Sequence, residues 1–253
     1  MLRAAVAGDI FASPSAKQIL KAIEFASSSS SLTTEPTQRN DVLAVINNYT
    51  GDILNFGLAI EKARIAFPDV NIASVVVADD ISLLSHNSNP LVGPRGLAAN
   101  ILVCKILGAL AAHGAELDVV KEYGDAVVSN LVSLGVGLEH CHVPGRTKDA
   151  ASTLTMSECE IGLGLHNEPG VMKANLGSVH DNDSSQSAKE GTTLVDRMIS
   201  MLLDSKEGLK TDCREDGVVL FVNNLGGMSQ LEMGAVVEDV TSRLSEYKFF
   251  SLA

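Results

Sequence analysis

Val42-Leu43-Ala44-Val45-Ile46 is an unbroken apolar run of strand length, and Asn47-Asn48-Tyr49-Thr50-Gly51-Asp52 follows it directly. A run this short and this apolar fits a strand covered on both faces. Behind it, Ile53 to Phe67 reads as a helix, and Ile72 to Ala78, rich in Val, reads as a second buried strand. Two such strands joined through a helix form a βαβ unit, which requires a parallel pair. The expected class is therefore α/β, with a largely parallel sheet in this part of the chain.

Upstream, Met1 to Ile10 is small and apolar without a start signal, as if the chain began inside a domain. Ser13 is placed to cap a helix with Pro14 at its first position, and Ile19, Leu20, Ile23 and Ala26 recur at helical spacing. The Ser- and Thr-rich segment from Ser27 to Asn40 is too polar to bury a core and is expected to be a flexible loop. Downstream, Leu97 to His113 and Leu117 to Leu134 read as two helices separated by Gly114. The pattern then changes to short strands, Val136 to Leu138 and Ile161 to His166, around a turn at Val143 to Arg146. A polar stretch from His180 to Gly191 precedes a helix at Thr192 to Asp204, a strand at Val218 to Asn223 and a last helix from Ser229 to Ser245. A boundary near Ser133 divides the chain into a first α/β subdomain, residues 1–133, and a second, residues 134–253.

With 45% of its 253 residues hydrophobic, the chain can fill one large core or two smaller ones. No apolar run reaches the roughly 18 residues of a membrane span, and no secretory leader opens the chain. The formal net charge of -12, with scattered Lys and Arg, argues against nucleic acid as a partner. Cys104, Cys141, Cys159 and Cys213 are far apart, with neither zinc spacing nor the density of a disulfide scaffold. Reduced thiols and a cytoplasmic location are the expectation.

Several residues have side chains suited to chemistry. Asn47 to Asp52 lies where a strand gives way to a helix, the end of an α/β sheet at which ligands bind. Asp52 either contacts a ligand there or simply caps the helix at Ile53. In Ile161-Gly162-Leu163-Gly164-Leu165-His166-Asn167-Glu168-Pro169-Gly170, the alternation suggests a strand, and the two glycines strip one face for close approach. His166 at its end is either a hydrogen-bonded structural histidine or a neutral imidazole that adds to a carbonyl carbon, with Glu168 near enough to orient it. Arg95, in Gly93-Pro94-Arg95-Gly96, either meets an anion at the helix N-terminus or is solvated. Asn223-Asn224-Leu225-Gly226-Gly227 shapes a cleft wall or is an ordinary loop. His140 and His142 share a face of a short strand, but no third ligand is near and no metal site is assigned.

Phe11-Ala12-Ser13-Pro14, Asn48-Tyr49-Thr50-Gly51-Asp52, Arg95-Gly96, Val143-Pro144-Gly145, Gly162 to Gly170 and Val222 to Gly227 occur in the order found in dihydroxyacetone (glycerone) kinases. The chain resembles the dihydroxyacetone-binding domain of the ATP-dependent eukaryotic type, whose animal relatives are triokinase/FMN cyclases. The resemblance implies two α/β subdomains, the second carrying a ketone-binding histidine. At the position of His166 that histidine forms a covalent hemiaminal with dihydroxyacetone and selects short ketones and aldehydes. Asp52 matches a catalytic aspartate that bonds the substrate hydroxyl and assists its deprotonation. Ser13 and Asn47 match substrate-side positions, although Asn47 stands where many members have lysine, and one arginine of the usual Gly-Arg-Arg-Gly is replaced by Pro94.

The resemblance also implies ATP and magnesium for the full-length enzyme, bound by a helical domain with clustered aspartates that this chain lacks. The family's glycine-rich segment with its first strand and second catalytic histidine would lie before Met1, and part of the second subdomain beyond Ala253. Kinase activity on dihydroxyacetone, complete only in a longer protein, is thus the leading expectation. A non-catalytic dihydroxyacetone-binding or regulatory protein, FMN cyclase activity of the full-length protein, and an unstable fragment are the alternatives. A homodimer is expected by the same resemblance.

Overall fold

The computed structural model describes residues 2–28, 40–84, 93–141, 143, 145, 154–176, 193–205 and 217–246. The expected loop at 27–40 and the polar stretch at 180–191 lie almost wholly outside the described residues, as do Cys213, His142 and Pro144. The chain divides into two compact units: Met1–Asp80 with Asn89–Ser133, and Ile81–Ser88 with Leu134–Ala253.

The first unit is a parallel strand pair sandwiched by helices. Strands β1 (Val42–Asn47) and β2 (Ile72–Val77) pair from Val42 opposite Ile72 to Asn47 opposite Val77, and helix α2 (Thr50–Ala66) makes the crossover. Side chains alternate along β1, so Val42 and Ile46 join Ile19 and Ile23 of helix α1 (Ala16–Ser27) and Ala59, Ile60 and Ala63 of α2 in one buried cluster. Leu43 and Val45 turn the other way. They meet a second cluster of Val75 and Val77 from β2 with Ala99, Val103 and Leu107 of α3 (Ala99–Ala112) and Val120 of α4 (Leu117–Ser129). Strands covered on both faces explain why β1 and β2 read as continuous apolar runs instead of alternating ones. The α/β class read from the sequence holds.

Two local assignments in this unit change. Ser15, not Ser13, caps α1: its hydroxyl accepts from Gln18 N while the Gln18 side chain accepts from Ser15 N, a reciprocal capping box. Ser13 lies two residues too early to reach those donors. Helix α2 begins at Thr50 with Tyr49 as its cap, so Asp52 falls inside the first turn and is not the capping residue.

The second unit is built on a three-stranded antiparallel sheet in the order β3 (Val136–Gly137), β4 (Glu158–Ile161), β5 (Met172–Asn175). Its buried face, Cys159, Ile161 and Ala174, packs with Leu194 and Met201 of helix α5 (Leu194–Asp204). Thr193 and Asp196 form a capping box at the start of α5. Ile199 and Leu203, elsewhere on α5, join Leu244 of helix α6 (Gln230–Glu246), with Val218 and Leu220 against them.

Here too the structure corrects the sequence reading. Residues 162–166 are not a strand: β4 ends at Ile161, Gly162 has φ 81°, and the chain turns. Residues 218–223 have no ladder partner among the described residues and are not assigned as a strand. The first segment alternates in hydropathy and the second is a continuous apolar run, yet either pattern signals burial, not pairing of the backbone.

Candidate functional site

In the first unit, three of the residues singled out from sequence come to the carboxyl end of β1. Asn47 is the last residue of the strand, and Asp52 is the third residue of α2, at the end of the helix where negative charge is favoured. Ser13 reaches the same place from far upstream: a Cβ at Gly51 would lie 2.5 Å from its Oγ, so only glycine admits the hydroxyl there. Asn55 Nδ2 donates to Pro14 O at 2.9 Å, which fastens the Ser13-Pro14 segment across the first turns of α2. Neither the Asp52 carboxylate nor the Ser13 hydroxyl has a hydrogen-bond partner among the described residues, and both are half-buried. Two polar groups left unsatisfied at the ligand-binding end of an α/β sheet are available to a ligand.

Asn47 is held differently. Its side chain accepts from Asn100 Nδ2, and Asn100 Oδ1 accepts from the Cys104 thiol at 3.0 Å. Asn48 Nδ2 donates to Pro94 O at 2.7 Å, drawing the 93–97 segment over the same strand end.

That segment carries Arg95, for which neither sequence reading holds. Arg95 is neither solvated nor offered to an outside anion: its Nε and Nη2 lie 2.8 and 2.7 Å from Asp80 Oδ2, and Asp80 is fully buried. The neighbouring Asp79 caps α3, accepting from Leu97 N at 2.7 Å and Ala99 N at 3.1 Å, and takes the Ser133 hydroxyl as well. These aspartates were not singled out from sequence. The available signal was an acidic pair immediately after a buried strand, where a charge must find partners.

In the second unit, the 162–170 segment is a closed loop that presents His166. Gly164 N donates to Glu168 O at 3.2 Å, Val171 N to Ile161 O at 2.8 Å, and Gly162 N to Gly135 O at 2.8 Å. A Cβ at Gly162 would come within 2.6 Å of Ser82 Cβ, so this position requires glycine for both space and φ. Glu168 grips the histidine twice: Oε2 accepts from His166 N at 2.8 Å and Oε1 faces His166 Nδ1 at 3.2 Å. A carboxylate can only accept, so Nδ1 carries the proton and the basic lone pair belongs to Nε2. The His166 side chain remains 29% exposed, open enough for a ligand to approach.

Beneath that loop lies a buried support. Glu160, 4% exposed, accepts from Gly170 N at 2.8 Å through Oε1 and from His140 Nε2 at 2.7 Å through Oε2. His140 is thus paired with a buried carboxylate, and its Nδ1 has no partner among the described residues. Among the described residues no group of three metal-ligating side chains occurs. Asn224 forms a closed turn, accepting from Gly226 N at 2.8 Å and donating to Met228 O at 3.0 Å. A cavity of about 500 Å³ in the first unit lies at the opposite, amino ends of β1 and β2, lined by Asp41, Asn71, Arg64 and Glu116 among others. It contains none of the candidate residues. No helix is long and apolar enough to cross a membrane among the described residues.

Comparison with known proteins agrees with the α/β fold. Residues 1–251 match the Dak1 domain family. Dihydroxyacetone kinase 2 of Saccharomyces cerevisiae is 42% identical over 247 residues, covering 96% of this chain and 37% of the yeast protein. The crystal structure of the dihydroxyacetone kinase from C. freundii in complex with AMP-PNP and Mg2+ superposes with a TM-score of 0.69 at 36% identity, over 93% of this chain and 37% of that one. A dihydroxyacetone kinase operon co-activator, DhaQ, superposes with a TM-score of 0.73 at 26% identity, over 92% of this chain and 63% of that one. The chain thus spans well under half the length of the kinases that it resembles.

Proposed function

The chain belongs to the Dak1 domain family, and on that premise we propose that it supplies the ketone-binding part of an enzyme that phosphorylates dihydroxyacetone with ATP. The observation that carries this reading is the pairing of His166 Nδ1 with Glu168, which leaves Nε2 as the nucleophilic nitrogen. Nε2 adds to the ketone carbon and the carbonyl π bond breaks. The ketone oxygen takes up a proton, balanced by the Nδ1 proton that Glu168 is positioned to accept. The product is a hemiaminal. Polyols such as glycerol have no carbonyl carbon and are refused.

Asp52, assigned from the family resemblance, bonds the substrate hydroxyl and assists its deprotonation as the phosphoryl group is transferred; its unpartnered carboxylate suits that work. Ser13 and Asn47 are assigned to the substrate's remaining oxygens. Magnesium in such reactions neutralises phosphate charge, but the described residues contain no donor set for it. We assign His166, Asp52, Ser13 and Asn47 to the ketone end of the reaction. Because the chain spans 37% of the yeast relative, turnover is assigned to the longer protein. Action as a homodimer in the cytoplasm is part of the same proposal and is read by sedimentation and cell fractionation.

The test uses 13C-labelled dihydroxyacetone and protein with 15N-labelled histidine. A one-bond coupling between the ketone carbon and an imidazole nitrogen is expected in the wild type and lost in His166→Ala. Absence of the coupling in the wild type, with the ligand bound, refutes the hemiaminal. In the full-length protein, Asp52→Asn is expected to lower kcat by about 10²–10⁴-fold. A binding or regulatory protein is the second reading, favoured by the likeness to the operon co-activator. It predicts ligand binding without phosphorylation in the full-length protein.

A further inference from the structure

Asparagine can offer a ligand either an acceptor or a donor, depending on which way its amide is turned. At the carboxyl end of β1, the amide of Asn47 is not at liberty to choose. Its Oδ1 is occupied by Asn100 Nδ2, and Asn100 is held in turn because its Oδ1 is occupied by the Cys104 thiol at 3.0 Å. We propose that Asn100 and Cys104 form a polarity relay that fixes Asn47 as a hydrogen-bond donor to substrate, making them positioning residues for ligand selection. This rests on the reading above in which Asn47 touches dihydroxyacetone.

The chemistry runs in one direction. Cys104 is 7% exposed, and burial pushes its thiol pKa up, so sulfur keeps its proton and has a hydrogen to give. An oxygen is the acceptor for that hydrogen, which turns the NH2 of Asn100 toward Asn47. The Asn47 oxygen is thereby used, and Nδ2 is left with no partner among the described residues. Asn100 and Cys104 stand one helical turn apart on α3, so the backbone of one helix holds both links. The group presented is a neutral N–H, matched to the lone pairs of an uncharged hydroxyl or carbonyl oxygen.

The relay can be reversed by a single substitution. Asn100→Asp replaces the donor with acceptors at both positions, so the Asn47 amide turns to give its N–H to the new carboxylate and shows its oxygen to the site. Dihydroxyacetone is uncharged, so the new charge does not itself repel it. Affinity for dihydroxyacetone, titrated calorimetrically on the full chain, is expected to fall about tenfold in Asn47→Ala and comparably in Asn100→Asp. Melting temperatures are read alongside to separate lost polarity from lost fold. Cys104→Val should weaken binding several-fold, and Cys104→Ser, which restores a donor, should recover it. If Asn47→Ala weakens binding while folded Asn100→Asp stays within twofold of wild type, the relay is refuted and Asn47 remains a contact. Should Asn100→Asp fail to fold, equal affinities for Cys104→Val and Cys104→Ser refute it instead. If Asn47→Ala binds as the wild type does, the underlying contact is wrong and the relay falls with it.

Discussion

Removing the carboxylate of Glu160 should loosen the loop that presents His166. In Glu160→Ala, Gly170 N loses its 2.8 Å acceptor and His140 Nε2 its 2.7 Å acceptor, both in a setting where Glu160 is 4% exposed. Hydrogen bonds to a charged group contribute about 1.5–3 kcal/mol each, so the pair sums to about 3–6 kcal/mol. Partial relaxation and entry of water reduce this, and breaking a buried pair from one side costs about 3–5 kcal/mol in other proteins. The expected loss is therefore about 3–5 kcal/mol. Glu160→Gln keeps an acceptor for Gly170 and offers an NH2 to a His140 that has switched tautomer, so about 1–2 kcal/mol is expected. Urea unfolding followed by circular dichroism reads the energies, and hydrogen exchange at the Gly170 amide reads the bond itself. Protection at Gly170 should drop in the alanine variant and persist in the glutamine variant. A loss below about 1 kcal/mol in Glu160→Ala, with Gly170 exchange unchanged, would refute the view that this carboxylate supports the loop.

Other perturbations act on separate parts of the molecule. Arg95→Met removes the charged partner of the fully buried Asp80 and should destabilise the first unit by about 3–5 kcal/mol in urea unfolding, whereas the double change with Asp80→Leu should recover much of it. Glu168→Gln replaces a charged acceptor with a neutral one at His166 Nδ1; ligand affinity, measured by titration, should fall about fivefold with little change in stability. Burial pushes the Asp196 carboxyl up, but the Thr193 amide and hydroxyl and the Arg243 charge outweigh it and hold it below the ordinary aspartate value. A lowered folded pKa stabilises above the unfolded titration and is lost as pH falls through the folded one, so Asp196→Asn should flatten the acid limb of the stability profile. An acid limb of unchanged slope would contradict this. Gly162→Ala, at φ 81° and against Ser82, should lower stability by at least about 1–2 kcal/mol.

Much of the first unit was legible because its signals are local. Apolar runs of strand length with a helix between them permit little besides a parallel pair, and β1, α2 and β2 lie within a few residues of their expected bounds. The capping serine was missed although its signal was present, since Gln18 stands three residues after Ser15 and five after Ser13. The second unit was less legible. Ile161, Leu163 and Leu165 alternate as a strand does, but the left-handed turn at Gly162 ends β4, and no local rule of hydropathy reports that.

The candidate site divides in the same way. Sequence alone singled out residue types suited to such chemistry, Asp52 after a buried strand and His166 two residues before a carboxylate, because each depends on neighbours in the chain. Only the tertiary structure decided which polar groups are already spent. It consumed Arg95 on Asp80 and His140 on Glu160, turned the Asn47 amide through Asn100, and brought Ser13 to Gly51 with its hydroxyl unused. These outcomes join residues up to 53 positions apart. A buried polar group must find a partner wherever the fold supplies one, and that choice is made in space.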